Sequence, residues 1–212
     1  MPAWVSPPPS EPRAGVRWAS AWPFVGFAAA LSIFLHEGGF RDYDRSPELV
    51  VGTLVGTIAI VSVVTYVGYV RRRALAGRWL VLLLVAAPLA LFAWKVGYSH
   101  LFDGGDRWWP SKPGLRCLLL STVDGTTILA GLIAARRGSE RQHPAAVGAA
   151  MGIAAGALTW VLVDLWCPVG HPAHVLLGHV LPMLLLATIG AWPGGALIAG
   201  SRGQSPPTDK AP

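Results

Sequence analysis

Six long apolar runs constrain this chain more than any other feature. They cover Trp18–Leu35, Leu49–Val70, Trp79–Gly97, Leu115–Ala135, Ala145–Trp166 and Ala173–Gly200. A run of roughly 18 or more apolar residues, wound at ~1.5 Å per residue, spans the ~30 Å hydrocarbon core of a bilayer. Inside that core every backbone N–H and C=O needs an internal partner, and a helix supplies it. The expected fold is therefore an all-α membrane protein, a bundle of about six transmembrane helices. Only 13% of residues are charged, against about 25% in an ordinary soluble domain. The segment 1–17 reads as a proline-rich, extended leader, 18–200 as the membrane domain and 201–212 as a polar tail. The leader has no clear small-residue cleavage site, so the first span is expected to be retained as a helix.

Charge sets the expected orientation. Cytoplasmic loops carry excess Lys and Arg. Arg71, Arg72, Arg73 and Arg78 fill one connection without an acid, and Arg136, Arg137 and Arg141 outnumber Glu140 in another. The alternate connections are poorer in basic residues: one is acidic, one sets three bases against two acids, and one is uncharged. Both termini are then expected in the cytoplasm of a bacterium, the chain crossing its inner membrane many times. The net charge of +6 is spread over these short loops rather than over one soluble face, which argues against direct nucleic-acid binding.

This layout gathers chemistry at the outer face. Of two cysteines and six histidines, Cys117 opens the fourth span and Cys167 closes the fifth. His171, His174 and His179 begin the sixth. Two thiols at one level suit a disulfide if their α-carbons approach within about 4.4–6.8 Å. Thiolate and imidazole together suit zinc, cadmium or copper. His179 lies five residues past His174, which an α-helical period places on another face. The expected site therefore combines Cys117 and Cys167 with one or two histidines, holding at most a transient metal ion at the outer face. The plainer alternative makes the cysteines small apolar filler and the histidines helix caps or headgroup contacts.

Three ionisable residues, Lys95, Asp124 and Asp164, fall inside spans, where such groups normally face the bundle interior. Lys95 and Asp164 sit near outer helix ends and are placed to pair. Gly148, Gly152 and Gly156 repeat every four residues, a spacing that lets helix backbones approach closely. No Ser-His-Asp set, phosphate loop or pair of catalytic carboxylates is present, and no Cys-x-x-Cys pair, so an enzyme is not expected. Two other readings use the outer histidines: a haem protein with His36 facing His174, and a small metal transporter using Asp124.

From Leu115 onward the chain resembles the NrsF family, membrane-bound negative regulators of extracytoplasmic-function sigma factors. The resemblance is carried by "GLRCLLLST" (Gly114–Thr122), "HPAAVGAAMGIAAGAL" (His143–Leu158) and "DLWCPVGHPAHVLLGHVLPMLLLATIGA" (Asp164–Ala191). It implies an anti-sigma factor that holds its partner inactive at the inner face. It also implies that a periplasmic redox or heavy-metal signal acts through outer cysteines, which match Cys117 and Cys167. His174 and His179 match the family's histidine pattern. The leader is shorter than the resemblance implies, so contact with the sigma factor is expected from it or from the basic loops at Arg71, Arg72, Arg73, Arg136 and Arg137.

Overall fold

Proline opens three of the helices. In a computed structural model of the chain, Pro47, Pro144 and Pro172 each occupy a first helical position, where the missing N–H is no loss and the fixed φ already suits a helix. The structure describes residue 26 and residues 47–65, 76–100, 110–111, 113–137, 143–164, 167 and 169–199. Every element among these residues is helical: α1 Pro47–Thr65, α2 Ala76–Tyr98, α3 Leu115–Arg136, α4 Pro144–Asp164 and α5 Pro172–Ala199. The last three are long and apolar enough to cross a membrane. α1 and α2 contain the shorter apolar helical stretches Pro47–Val63 and Leu84–Tyr98. The expected first span, apart from Gly26, lies outside the described residues, as do the leader and the tail.

α4 is the axis of the bundle. It is rich in Ala and Gly, and 78% of its most apolar window is buried, against 39% for α3 and 44% for α5. One side of α4 presents Ala150, Ile153, Ala154, Ala157 and Trp160 to Ala87 and Leu91 of α2 and to Val175, Val180 and Met183 of α5. The other presents Val147, Met151 and Ala155 to Ile128, Leu129 and Ile133 of α3 and to Leu186 and Ile198 of α5. Small side chains allow one helix to touch so many neighbours. A Cβ added at Gly148 would strike the carbonyl of Gly190, and one at Gly152 the carbonyl of Leu186. One at Gly156 would lie 2.7 Å from the Met183 Cγ. The three glycines thus face the backbone of α5, with α4 and α5 antiparallel. α3 runs parallel to α5, with Gly125 against Leu186 and Ile133 against Gly194. At the edge, Gly52 of α1 lies under the Trp94 ring of α2.

Outward rows remain apolar. Val51, Leu54, Val55 and Ile58 on α1, and Leu115, Leu119 and Val123 on α3, are exposed. A water-soluble monomer rarely leaves such contiguous apolar surface uncovered, whereas hydrocarbon solvates it.

α5 carries two prolines, Pro182 and Pro193, and still runs on to Ala199. It does so through two π-helical turns, Leu176–Val180 and Gly190–Gly194. A wider i→i+5 turn absorbs the missing proline donor without breaking the helix.

Candidate metal centre

The described connections place the start of α3, the end of α4 and the start of α5 at one end of the bundle. Cys117 arrives there on the first turn of α3. Gly114, just before the helix, has φ 99°, a left-handed conformation open to glycine and strained for other residues. A side chain at Gly114 would also meet the His174 carbonyl at 3.0 Å. On α5, Gly178 lets Cys117 approach: a Cβ there would lie 2.9 Å from the cysteine's own Cβ.

Cys167 follows the last turn of α4 and is buried. Its N–H is held by the Val163 carbonyl at 3.1 Å and the Asp164 carbonyl at 3.3 Å. Its carbonyl accepts from Lys95 Nζ at 3.4 Å. The same ammonium lies 2.7 Å from Asp164 Oδ1, with both side chains almost fully buried. The pair expected near the outer helix ends is therefore present, and it also grips the backbone of Cys167.

The histidines divide by role. His171 caps α5, its Nδ1 accepting from the Ala173 N–H at 3.2 Å. It lies outside the donor cluster. His174 and His179 are both buried, with ring centroids 5.9 Å apart. An α-helical period places residues five apart on different faces. The π-turn corrects that reading: with i→i+5 pairing, residues five apart stack on one face. The Leu181 N–H donates to the Leu176 carbonyl, five residues back. Pro182 has no N–H to give the Gly178 carbonyl, and Ser121 Oγ of α3 donates to it instead at 3.3 Å.

Four donor atoms thus converge. The ligating atoms of Cys117, Cys167, His174 and His179 all lie within 4.8 Å of one another, in a geometry that could hold a metal ion. Cys167 Sγ is 2.9 Å from His174 Nε2. The Cys167 thiol is held well below its ordinary pKa, chiefly by a hydrogen bond from Cys117. Burial opposes this, while a hydrogen bond with His174 and the nearby His179 imidazole add to it. Neither His179 ring nitrogen has a hydrogen-bond partner among the described residues; one face of the ring packs near Trp160 at 5.1 Å. Cys117 is half-buried and is the most accessible of the four.

The remaining candidates lie elsewhere. Asp124 is fully buried, seven residues along α3 from Cys117 and so about 10 Å deeper, outside the cluster. Arg136 and Arg137 end α3 at the opposite end of the bundle. Arg71, Arg72, Arg73 and His36 lie outside the described residues. Gly114, Ser121 and Gly178 shape the site without carrying recognisable chemistry. The one sequence signal for them is Pro182, four residues past Gly178, which leaves a carbonyl in need of a donor.

A family model described as NrsF, negative regulator of sigma F, matches residues 5–199. Neither the curated proteins nor the solved structures contain a match to the chain.

Proposed function

The chain belongs to the NrsF family, negative regulators of sigma F, and from that membership we propose that it is a membrane anti-sigma factor with a periplasmic sensor. It holds an extracytoplasmic-function sigma factor inactive at the cytoplasmic face of the bacterial inner membrane. It releases that factor when a redox or heavy-metal signal acts on Cys117 and Cys167. The role is regulatory, not catalytic. Six spans with both termini cytoplasmic put the basic loops inside and the cysteines outside.

One observation carries the sensing half: two cysteines 50 positions apart in sequence meet in a buried cluster that could hold a metal ion. Cys117 rides on α3 and Cys167 on the end of α4, so a change in their bonding displaces one helix against the other. Those helices are joined at the far end by the connection from Arg136 to His143, one of the two basic loops. Glycines seat α4 on α5 with backbone in contact, and such an interface moves as a unit rather than deforming. Displacement at the sensing end is thereby delivered to the loop. The leader and the arginine loops supply the surface for the sigma factor, whose acidic patches they complement.

The test is a transcriptional reporter driven by the sigma factor. Cys117→Ser and Cys167→Ser should each abolish the response to cadmium or oxidant while the protein still inserts. Each single variant should match the double, since one member of a pair does nothing alone. A normal response from either single variant would end the cysteine-pair reading.

A further inference from the structure

We infer that Cys117, Cys167, His174 and His179 form a closed four-coordinate site for a divalent cation of the zinc and cadmium class, with both histidines as full ligands. The inference rests on the sensor reading above and specifies its ligand. Zinc–sulfur bonds of ~2.3 Å and zinc–nitrogen bonds of ~2.0–2.1 Å give tetrahedral donor–donor edges of roughly 3.3–3.8 Å. The four donors already lie within 4.8 Å of one another, so closure around an ion shortens any one separation by about 1.5 Å at most. Two sulfurs and two imidazole nitrogens are a donor set that borderline-soft cations favour.

His179 points to the same conclusion independently. Its side chain is 2% exposed, and both ring nitrogens lack a hydrogen-bond partner among the described residues. Buried polar atoms are almost always paired, and an orphan of this kind calls for an explanation such as an ion. The local backbone is arranged to produce it. The π-turn swings His179 onto the face of His174, and Ser121 stabilises that turn through the Gly178 carbonyl. Gly178 and Gly114 clear the space that brings Cys117 in.

Charge selects the oxidation state. Two thiolates, two neutral imidazoles and one divalent cation sum to zero. The neighbouring Lys95–Asp164 pair also sums to zero. A monovalent copper or silver ion on the same donors leaves a net negative charge buried at the membrane edge, where unpaired charge is expensive. The full set of four donors also leaves no open position for a substrate, which fits a structural or sensing centre rather than a catalytic one.

Cobalt(II) is the probe, added to the full-length protein in lipid nanodiscs. Wild type should bind one equivalent, with the intense visible bands of a tetrahedral sulfur–nitrogen site, displaced by one equivalent of zinc or cadmium. His179→Ala should lower affinity at least about 10-fold and weaken those bands. His179→Cys should retain the metal and gain thiolate-to-cobalt charge-transfer intensity, which separates loss of a ligand from loss of fold. An unchanged spectrum and affinity in His179→Ala would overturn the assignment. So would the absence of cobalt, zinc and cadmium binding by wild type. Retention of the sigma factor is measured on the same metal-free preparation. A protein that retains it but fails the cobalt test keeps the regulator reading and loses this one. A protein that passes the cobalt test but never retains a sigma factor does the reverse.

Discussion

Lys95 and Asp164 show what one residue pair contributes. Each is a charge in an apolar bundle and almost completely buried; the two pair with each other, and Lys95 also donates to the Cys167 carbonyl. Removing one partner strands the other, a loss of about 3–5 kcal/mol for a buried pair. Lys95→Met should therefore unfold at markedly lower denaturant in detergent micelles, and Lys95→Met combined with Asp164→Leu should recover most of the loss. If the double variant is as unstable as the single, the pair is not a self-contained unit. The sequence made this pair legible because two opposite charges at the same depth of neighbouring spans have few other solutions. It could not show that Lys95 also holds the Cys167 carbonyl, because a backbone acceptor has no signature in sequence. The histidines illustrate the same limit: His174 and His179 share a face only because the local helical period is not the one that spacing arguments assume.

Among elements, α3, α4 and α5 begin and end within one or two residues of their expected limits, because apolar runs stop where prolines, arginines or an aspartate begin. The π-turns were not legible, since a change from i→i+4 to i→i+5 bonding leaves hydropathy untouched. Pro182 is the handle on the first of them. Pro182→Ala restores an N–H for the Gly178 carbonyl and removes the reason for the wider turn. The turn should tighten, carrying His179 away from His174. Cobalt affinity should fall at least about 10-fold, as for loss of a ligand, with helix content unchanged by circular dichroism. Unchanged affinity would show that the turn does not depend on this proline. At the centre of α4, Gly152→Leu drives a side chain into the Leu186 carbonyl. It should cost at least the ~1–3 kcal/mol typical of overpacking, read as a lower midpoint in the same unfolding assay. Tolerance of leucine there would mean that α4 and α5 separate freely.

For the whole molecule, the account requires the two ends of the bundle to lie on opposite sides of the membrane. Arg136 and Cys117 occupy opposite ends of one helix, so their sidedness is a single fact tested twice. Reporter fusions after Arg73 and after Arg137 should read cytoplasmic, and a fusion after Asp106 should read periplasmic. Any reversal would place the cysteines inside, where thiols are kept reduced and a periplasmic signal does not reach them. The central claim joins both ends, and sedimentation of the sigma factor with membranes tests it most directly. Membranes carrying the full-length protein should retain the sigma factor in metal-free buffer and release it to the supernatant on adding cadmium. Membranes carrying Cys117→Ser should retain it in both conditions. A sigma factor that never sediments with the protein, or one released by cadmium just as fully from the Cys117→Ser membranes, would contradict the account.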